Sequence, residues 1–372
     1  MMLQSVSCCN ASNAWYVQVH KLMLQDTARI QAYKNAIFSC VEYFKDKVVM
    51  DVGAGTGILS LFCAQAGARI VYAVEASALA NIIPKVAKEN NFSDVIKVFK
   101  QRVEDVVLPE HDKVDVIVSE WMGFYLLHEG MLDSVLYARD AHMKAGGKMF
   151  PEVAELWCAP CSLPDMYDFW DNVEGFHMQS VGEAWRLQKS QQPQIVDITG
   201  SDLVADPVSI CVLNLNSISS KDLDSVSGKF VLPTNRDGKY QGICLWFSCV
   251  FPCLDGGSHG TVLSTAPTES PTHWKQTVVM LPHEFVVEEG MPVAWELRLH
   301  RSAVGCRQYN IEFTELDPEA VKHPVPCRCY MTKCVVIRTY LEQKEDLSEE
   351  GEDNENEDQS DDSCGNSDLA SV

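Results

Sequence analysis

Two glutamates nine residues apart indicate a site for a cation. Glu120 follows a short apolar run at 114–119, and Glu129 lies nine residues further on. A guanidinium is such a cation: it is planar, stays charged and carries five donors. Two carboxylates that grip it from different sides draw its charge towards one part and leave a terminal nitrogen richer in electron density. The alternative, which is the more common one for two loop acids, is an ordinary exposed helix start.

A glycine-rich loop upstream indicates a nucleoside ligand. Residues 51–57 read DVGAGTG and stand between an apolar run and a helical pattern. Ile58 occupies the place where a dinucleotide-binding loop has its third glycine, and the Gly-Lys-Ser/Thr ending of a phosphate loop is absent. Glu75 ends the next apolar run, where it can accept hydrogen bonds from ribose hydroxyls. The parts fit an adenosyl ligand without a pyrophosphate; alone, such a loop can also be a structural turn.

The third contact of this ligand is expected just after the next apolar run. Val103 and Glu104 stand there, within reach of an adenine ring. Taken alone, Glu104 is more often a solvated surface acid. The loops after successive parallel strands meet at one edge of a sheet, so both motifs should face the same crevice.

The elements around these motifs fall into two halves. Between 47 and 150, short apolar runs alternate with helical patterns, which predicts a parallel sheet covered on both faces. After Pro151, short β-branched and aromatic runs are separated by turn residues, which predicts an antiparallel sheet or barrel. Two helices are expected within 15–46. An aromatic, helix-like insertion at 163–186 packs either on a partner or on its own barrel.

The net charge of the chain restricts the classes of partner that it can bind. The 372 residues carry 30 basic and 52 acidic side chains, a net charge of −22. Twelve of the acids and none of the bases lie within 345–372, a composition that predicts disorder. Direct nucleic-acid binding is disfavoured, because it needs a basic surface for phosphates, and a cationic partner fits better. No apolar run long enough for a membrane span and no secretory signal is present, so we expect an intracellular protein.

The 15 cysteines lie mostly in apolar runs and are interpreted as small buried hydrophobes. A zinc-stabilised module built from Cys158 and Cys161 with Cys327 and Cys329 is the alternative. A single C-x-x-C motif without a second at the proper spacing is a weak signal, so no metal is predicted.

Four separated motifs resemble the protein arginine methyltransferases, over about residues 20–276. Residues 48–68 (VVMDVGAGTGILSLFCAQAGA) with VEAS resemble the nucleotide site, and residues 119–132 (SEWMGFYLLHEGML) resemble the paired-glutamate loop. Residues 271–276 (PTHWKQ) resemble the threonine–histidine–tryptophan loop. The N-terminal helix signature is matched by His20, Met23, Asp26, Arg29 and Tyr33. The nuclear, histone-directed branches look most similar.

The resemblance implies S-adenosylmethionine as the cofactor and a role for each matching residue. The implied cofactor site consists of His20, Arg29, Asp51, Gly53, Gly55, Glu75, Val103 and Glu104. Glu120 and Glu129 would clamp the substrate guanidinium, and His273 paired with Asp26 would orient the site and assist proton loss. The substrate pocket would be walled by Met23, Met131 and Trp274. Methionines at the first two places imply monomethyl and asymmetric dimethyl products, the type I pattern.

The resemblance also implies an organisation and partners. The expected fold is a Rossmann-like methyltransferase domain at 47–150, preceded by cofactor-covering helices at 15–46 and a disordered segment at 1–14. A β-barrel substrate domain would follow at 151–343 with its arm at 163–186, then a disordered acidic tail at 344–372. Arginine-containing proteins such as histone tails are the expected substrates, a homodimer through the arm the expected assembly, and nucleus or cytoplasm the expected location.

A second hypothesis is an adaptor of the same fold that binds arginine-rich partners but methylates weakly. The family's usual tyrosine in the N-terminal helix falls on Ala14 here, and Lys21 and Leu22 replace the two acids that usually follow the histidine. Contacts that close the helix over the cofactor could therefore be lost. A protein that only binds its partners does not require the acid pair, Arg29 and the His273 loop. All of these are present, which favours the enzyme over the adaptor.

Overall fold

Two helices precede the first sheet. The computed structural model describes residues 2–3, 13–109, 113–254, 260–303 and 307–357. The chain has a two-residue strand, β1 (Met2–Leu3), then α1 (Asn13–Gln25) and α2 (Thr27–Ser39). Asp26 separates the two helices and caps the second, its carboxylate accepting from the Arg29 backbone N–H.

A five-stranded parallel sheet forms the N-terminal half. Its elements are β2 (Val48–Val52), α3 (Ile58–Gln65), β3 (Ile70–Val74), α4 (Ile83–Glu89), β4 (Ile96–Phe99), β5 (Val114–Val118), α5 (Leu132–His142) and β6 (Met143–Phe150). The strand order is β4-β3-β2-β5-β6, and every pair is parallel. All five residues of the central strand β2 are buried, as expected of a strand covered on both faces.

The strand order reverses between β2 and β5, and this reversal creates the site. From β2 the chain moves outward through β3 and β4, then returns to place β5 on the other side of β2. The loops that leave these two neighbouring strands diverge and open a crevice at their carboxyl ends. The glycine loop follows β2, and Glu120 lies two residues beyond the end of β5.

Antiparallel strands form the C-terminal half. The elements are β7 (Val153–Cys161), α6 (Pro164–Tyr167), α7 (Gln179–Lys189), β8 (Gln194–Val196), β9 (Val208–Asn214), β10 (Ser225–Pro233), β11 (Gly238–Val250), β12 (Val262–Ser264), β13 (Gln276–Val287), β14 (Pro292–Arg301), β15 (Tyr309–Glu315) and α8 (Thr332–Glu357). One sheet has the order β8-β13-β11-β7-β9, with β12 beside β11, and the other β1-β15-β14-β10. Strands β9 and β10 lie side by side where the sheets meet, giving a barrel-like body. The predicted fold class is confirmed.

The predicted arm is helical and leaves apolar side chains exposed. The rings of Trp170 and Trp185 pack against each other, and the Arg186 guanidinium lies over the Tyr167 ring. These contacts hold α6 and α7 together on the six-stranded sheet. Phe169 and Phe176 nevertheless keep 58% and 71% of their surfaces exposed.

Helix α2 and the short 3-10 turn after it link the two halves. Tyr33 is fully buried and its ring meets the edge of Phe251, from the end of β11. The Cys40 thiol donates to the Pro252 carbonyl oxygen, and the Tyr43 hydroxyl donates to that of Cys253. The helix that was predicted to cover the cofactor is therefore fixed to the substrate half as well.

Several elements differ from the sequence predictions. Residues 1–14 were expected to be unstructured, but Met2 and Leu3 pair with Glu312 and Ile311 of β15, and α1 begins at Asn13. A strand as short as β1 forms because the edge of β15 is free to pair with it. The pattern of apolar residues within 1–14 does not show that such an edge is nearby. Strand β7 was missed because Pro160 interrupts its pattern.

The acidic tail also differs in part. Helix α8 continues from Thr332 to Glu357, past the boundary at 344, and residues 358–372 lie outside the described part of the chain. The prediction of disorder rested on the lack of apolar surface to bury, whereas the helix continues past the boundary through residues of high helix propensity, Glu345, Leu347, Glu349 and Glu350. Among the described residues, no helix is both long and apolar enough to cross a bilayer.

Candidate active site

The glycine loop has a backbone that only glycine adopts without strain. Gly53, Gly55 and Gly57 have φ angles of +74°, +56° and +88°. A Cβ on Gly53 would collide with the Met131 methyl group, and one on Gly55 would lie 2.9 Å from Cε1 of His20. Two residues predicted for the cofactor and substrate pockets thus close over the loop from opposite elements.

Glu75 ties the loop to β3. The backbone N–H of Gly55 donates to Glu75 Oε2 at 2.9 Å, and that of Ser77 donates to Oε1 at 2.7 Å. Each oxygen keeps a further lone pair for a ribose hydroxyl. The carboxylate therefore lies where the sequence predicted it, beside the glycine loop, and is held rigidly there.

Asp51 does not face the cleft. It is fully buried, and its Oδ2 accepts from the Ser60 hydroxyl at 2.6 Å. Its Oδ1 has no hydrogen-bond partner among the described residues. Burial raises the pKa of Asp51 to about 7, against the opposing effect of the Ser60 hydrogen bond. The predicted cofactor contact is thus replaced by a link between β2 and α3, since alternate strand residues point away from the crevice.

Arg29 and Glu120 form a buried ion pair at the centre of the cleft. Arg29 Nε and Nη2 lie 3.0 and 2.9 Å from Glu120 Oε2, and both side chains are less than a tenth exposed. Arg29 Nη1 also donates to the Met23 carbonyl oxygen at 3.0 Å. The pair leaves Glu120 Oε1 without a hydrogen bond from the described residues, so one oxygen remains for a ligand. The cofactor-side and substrate-side predictions therefore meet in a single contact.

Glu129 is returned towards Glu120 by a tight loop. Gly123 and Leu126 exchange two backbone hydrogen bonds of 3.0 and 2.9 Å, and Glu129 has φ +73°. The residue is more than a third exposed. Partial burial and then the charge of Glu120 raise the pKa of Glu129, while His273 and Arg307 oppose the rise. Two like charges near one another are the electrostatic condition for binding a cation.

His273 is fixed by the N-terminal helix. Its backbone N–H and Nδ1 both lie against Asp26 Oδ2, at 2.8 and 2.7 Å. Burial raises the pKa of Asp26, but the hydrogen bonds from His273 and Arg29 outweigh it, so the pKa is lowered and the carboxylate stays ionised. An ionised Asp26 makes Nδ1 the donor, and the lone pair of a neutral ring is then on Nε2.

Trp274 anchors the same loop on the carboxylate side. Its Nε1 donates to the Met122 carbonyl oxygen at 2.9 Å, and its ring packs against His273 at 4.0 Å between centroids. The side chain is buried, so Trp274 positions the loop rather than forming an open wall of the pocket.

Val103 and Glu104, the predicted third contact, lie in a short 3-10 turn after β4 and are not among the residues that line the cleft. Glu104 Oε1 accepts from the Ser134 hydroxyl at 2.7 Å, and Oε2 lies 3.3 Å from Arg102 Nε. Burial raises the pKa of Glu104, but these two bonds outweigh it and lower the value overall. Val103 is buried beneath the turn.

The cleft itself measures about 370 Å³ including its mouth. It is lined by His20, Met23, Leu24, Arg29, Gly53, Ala54, Gly55, Thr56, Ile58, Leu59 and Glu120. Sequence motifs separated by up to 100 residues thus contribute to one cavity.

Known proteins match both halves of the chain. The family model of the arginine methyltransferase oligomerization subdomain matches residues 152–315, and that of ribosomal protein L11 methyltransferase matches 35–128. Protein arginine N-methyltransferase 6 of Danio rerio is 39% identical over 314 residues, 82% of this chain and 88% of its own length. Human protein arginine N-methyltransferase 2 is 39% identical over 301 residues, 79% of this chain and 69% of its own length.

The chain belongs to the protein arginine methyltransferase family.

Solved structures of this family have the same fold. The Trypanosoma brucei PRMT1 enzyme–prozyme heterotetrameric complex with AdoHcy superposes with a TM-score of 0.72 at 31% identity, covering 83% of this chain and 97% of that one. A PRMT6–SAH structure superposes at 0.69 and 30% identity, covering 81% and 100%. The cofactor of this methyltransferase family is S-adenosylmethionine, as predicted.

The arginine methyltransferase cleft fits that cofactor. The left-handed glycines leave the backbone of the loop bare where an adenosyl group would approach, and Glu75 has lone pairs for its ribose. Arg29 lies in the same cavity and can meet a carboxylate, and His20 lies over Gly55. Burial lowers the pKa of His20, so its ring is neutral at physiological pH and adds no charge to the cofactor pocket.

Three supporting residues were not predicted as site residues. The Tyr33 hydroxyl donates to the Ser119 carbonyl oxygen at 2.9 Å, and the Ser119 hydroxyl donates to that of Val52 at 2.7 Å, which joins the two loops of the cleft. Arg307 packs its backbone against Gly130 and donates to the Ser134 hydroxyl. Tyr33 lies one helical turn after Arg29, a signal that could have been used; Arg307 lies in no motif.

Proposed function

We propose that the chain transfers methyl groups to arginine side chains of proteins with the type I outcome, monomethyl and then asymmetric dimethyl arginine. The proposal rests on the Glu120 carboxylate, which is held on one oxygen by Arg29 at 2.9 Å and open on the other, and on Glu129, which lies close enough for the charge of Glu120 to raise its pKa. An arginine side chain fits between these acids as the cation that balances them.

The chain's own residues do three things in this proposal. Glu120, through its open Oε1, and Glu129 bind the guanidinium from two sides and polarise it, so that one terminal nitrogen becomes the nucleophile. The cofactor supplies an electrophilic methyl group on a sulfonium. Arg29 fixes Glu120 relative to the cofactor side of the cleft, which sets the line of approach.

The third role, acceptance of a proton, is assigned to His273 and Asp26. His273 presents Nε2 with its lone pair when neutral, because Asp26 holds Nδ1 as the donor. The nitrogen that gains a methyl group must lose a proton, and we assign its acceptance to His273 Nε2. Met23 lines the cleft and the Met131 methyl group lies over Gly53, and we assign to both the role of leaving space for a second methyl group on the same nitrogen.

Histone tails and other arginine-rich proteins are the proposed substrates. The net charge of −22 favours such basic partners, and no basic stripe suited to a nucleic-acid backbone is apparent in the sequence. The nucleus and the cytoplasm are the proposed locations, to be tested by imaging the tagged protein.

The proposed assembly is a homodimer through the arm. Beyond Phe169 and Phe176, the arm exposes Val181 and Leu187 by 48% and 58%, and the matching family model is that of an oligomerization subdomain. Light scattering should give twice the 41.5 kDa chain mass, and a double change of Phe176→Asp with Leu187→Asp should give the monomer. If the unaltered protein is a monomer by light scattering, the proposed homodimer is wrong.

Mass spectrometry tests the reaction. An Arg-Gly-rich peptide and core histones are incubated with the protein and methyl-labelled S-adenosylmethionine, beside Glu129→Gln and the control Glu315→Gln, an exposed glutamate at the end of β15. Label on arginine as monomethyl and asymmetric dimethyl products, lost only in Glu129→Gln, is expected. Symmetric dimethyl or only monomethyl product would contradict the type I assignment. Cofactor binding without methylated arginine would favour the adaptor.

A further inference from the structure

Four metal-ligating side chains meet outside the methyltransferase cleft. They lie in the segment between β15 and α8 and in the first turn of α8: His323, Cys327, Cys329 and Cys334. The spacing is H-x3-C-x-C-x4-C. The alternative grouping of Cys158 and Cys161 with Cys327 and Cys329 is wrong, because the first two lie in β7 within other core clusters.

The imidazole of His323 stands at the centre of the group. Its Nδ1 lies 3.4 Å from the sulfur of Cys327, 3.4 Å from that of Cys329 and 3.2 Å from that of Cys334. All four ligand atoms lie within 4.8 Å of one another, and all four residues are buried. Convergence of three thiols and one imidazole nitrogen is far more specific than any pair of cysteines.

A second contact orients the imidazole for metal binding. Nε2 of His323 lies 2.8 Å from the carbonyl oxygen of Pro318. A carbonyl can only accept, so Nε2 carries the proton and Nδ1 presents its lone pair to the sulfurs. This outer hydrogen bond to the remote ring nitrogen is the usual arrangement of a metal-bound histidine.

We propose that His323, Cys327, Cys329 and Cys334 bind one structural zinc ion. Zinc–sulfur bonds of about 2.3 Å and zinc–nitrogen bonds of about 2.0 Å in a tetrahedron place the ligand atoms about 3.5–3.8 Å apart. The observed separations of 3.2–3.4 Å between Nδ1 and the sulfurs need only a small outward adjustment. Three soft thiolates and an imidazole with no open position are typical of a closed structural zinc site.

Simple apolar packing accounts less well for the group. The hydrophobic cluster here contains only the three cysteines, with the partly buried Met331 against it. So little apolar surface contributes only a few kcal/mol, too little to order a segment of this length. A disulfide would join only two of the three sulfurs and would not account for the convergence of all three on His323 Nδ1, and the three cysteines are free in the structure.

The proposed ion has a definite mechanical role. The Arg338 guanidinium of α8 donates to the Cys327 carbonyl oxygen at 2.9 Å, and the Tyr330 backbone N–H donates to that of Gly290, in the β13–β14 turn, at 2.9 Å. The site thus joins the start of the acidic helix α8 to the sheet that contains β14. Zinc binding would fix where this negatively charged helix leaves the substrate half.

The first test is metal content of the unaltered full-length protein. The protein is purified without a metal column, passed over chelating resin and analysed by inductively coupled plasma mass spectrometry. One zinc per chain is expected, and cobalt exchange should give the visible d–d bands of a tetrahedral thiolate site. Protein that neither carries zinc nor takes up one equivalent after thiol reduction would overturn the proposal, as would an iron–sulfur spectrum.

Variants then locate the ion. Cys329→Ser should weaken zinc binding by at least about 10–100-fold, the loss seen when even an outer partner of a metal site is removed. The matched control is Cys211→Ser, a half-buried thiol of β9 outside the group, which should keep one zinc. S-adenosylhomocysteine binding reports whether each variant is folded. Zinc retained at one per chain in Cys329→Ser would place the metal elsewhere.

A protease experiment tests the mechanical role without any substitution. Removal of zinc by a chelator should expose residues 316–331 to cleavage, which peptide mapping locates, and added zinc should restore resistance. An unchanged cleavage pattern in protein shown to have lost its zinc would refute the anchoring role.

Discussion

Asp26 and His273 are 247 residues apart in the chain and are joined by a 2.7 Å hydrogen bond between Oδ2 and Nδ1. The same carboxylate caps α2 through the Arg29 backbone N–H at 2.9 Å. One buried acid therefore fixes both the helix that contributes Arg29 and the loop from the antiparallel half that contributes His273. The cofactor side and the substrate side of the cleft are aligned through it.

Asp26→Asn should separate these two roles. The amide oxygen can still cap α2, but the charge that holds the His273 ring is lost, so kcat should fall by about 10–100-fold, the cost typical of misplacing a reacting group. Steady-state methylation of the peptide and S-adenosylhomocysteine binding measure both effects, and binding should change little. The control is Asp197→Asn, an exposed acid that pairs with Lys275 of the same loop at 2.6 Å. Equal losses of kcat in both variants would contradict the assignment.

Glu129→Gln should change stability in a pH-dependent way. The pKa of Glu129 is raised in the folded protein, so the folded state binds more protons than the unfolded one just above pH 4.5, and stability falls as pH rises through this window. Ionised Glu129 is thus unfavourable at neutral pH, and removing its charge should raise the unfolding temperature there but not near pH 4.

Because Glu129 is partly exposed, the gain should stay below about 1 kcal/mol, or roughly 1–3 °C. Differential scanning fluorimetry across pH 4–8 measures it. Glu174→Gln is the control, since Glu174 also has a positive φ, 51°, but lies in the arm. A lower unfolding temperature for Glu129→Gln at pH 7.5 than for the unaltered protein would refute the electrostatic account.

The sequence predicted the residues that could do chemistry in the cleft better than the residues and contacts that hold them in place. The glycine loop, Glu75 and the acid pair follow from strand ends, because the carboxyl ends of parallel strands share one edge. The strand order that makes β2 and β5 neighbours, and the hydrogen bond of Tyr33 to Ser119, depend on tertiary packing that periodicity does not contain. His323 was missed for the same reason: its spacing to the cysteines matches no common zinc motif, and only the fold brings the four together.

Asp51→Asn should stabilise the protein at neutral and alkaline pH. The folded-state pKa is raised to about 7 from the ordinary value of 3.8, so stability is lost as pH rises from about 4 to 7 and remains lost above it. Asparagine can keep the Ser60 hydrogen bond through its amide oxygen while removing the buried charge. The unfolding temperature of the variant should therefore exceed that of the unaltered protein at pH 8, and the difference should be smaller at pH 5.

The same variant tests the position of Asp51. Because the side chain faces α3 rather than the cleft, S-adenosylhomocysteine affinity should change by less than about threefold, far below the roughly 1.5–3 kcal/mol of a lost hydrogen bond to a charged group. Isothermal titration calorimetry measures the affinity. A loss of tenfold or more in a folded variant would restore Asp51 as a direct cofactor contact.

Truncation after Lys344 tests whether the acidic segment attracts basic substrates. The remaining chain has a net charge of −10 instead of −22, so electrostatic attraction of a basic peptide should weaken, raising KM several-fold at low salt with kcat unchanged. At about 0.15 M salt the Debye length is about 8 Å, and the difference should largely disappear. A second variant keeps the length but replaces all twelve acids of 345–372 with Gln and Asn, and it should behave as the truncation does. Identical KM values in all three proteins at low salt would show that the segment is only a solvated tail, and a lower KM on truncation would show that it competes with substrate for the cleft.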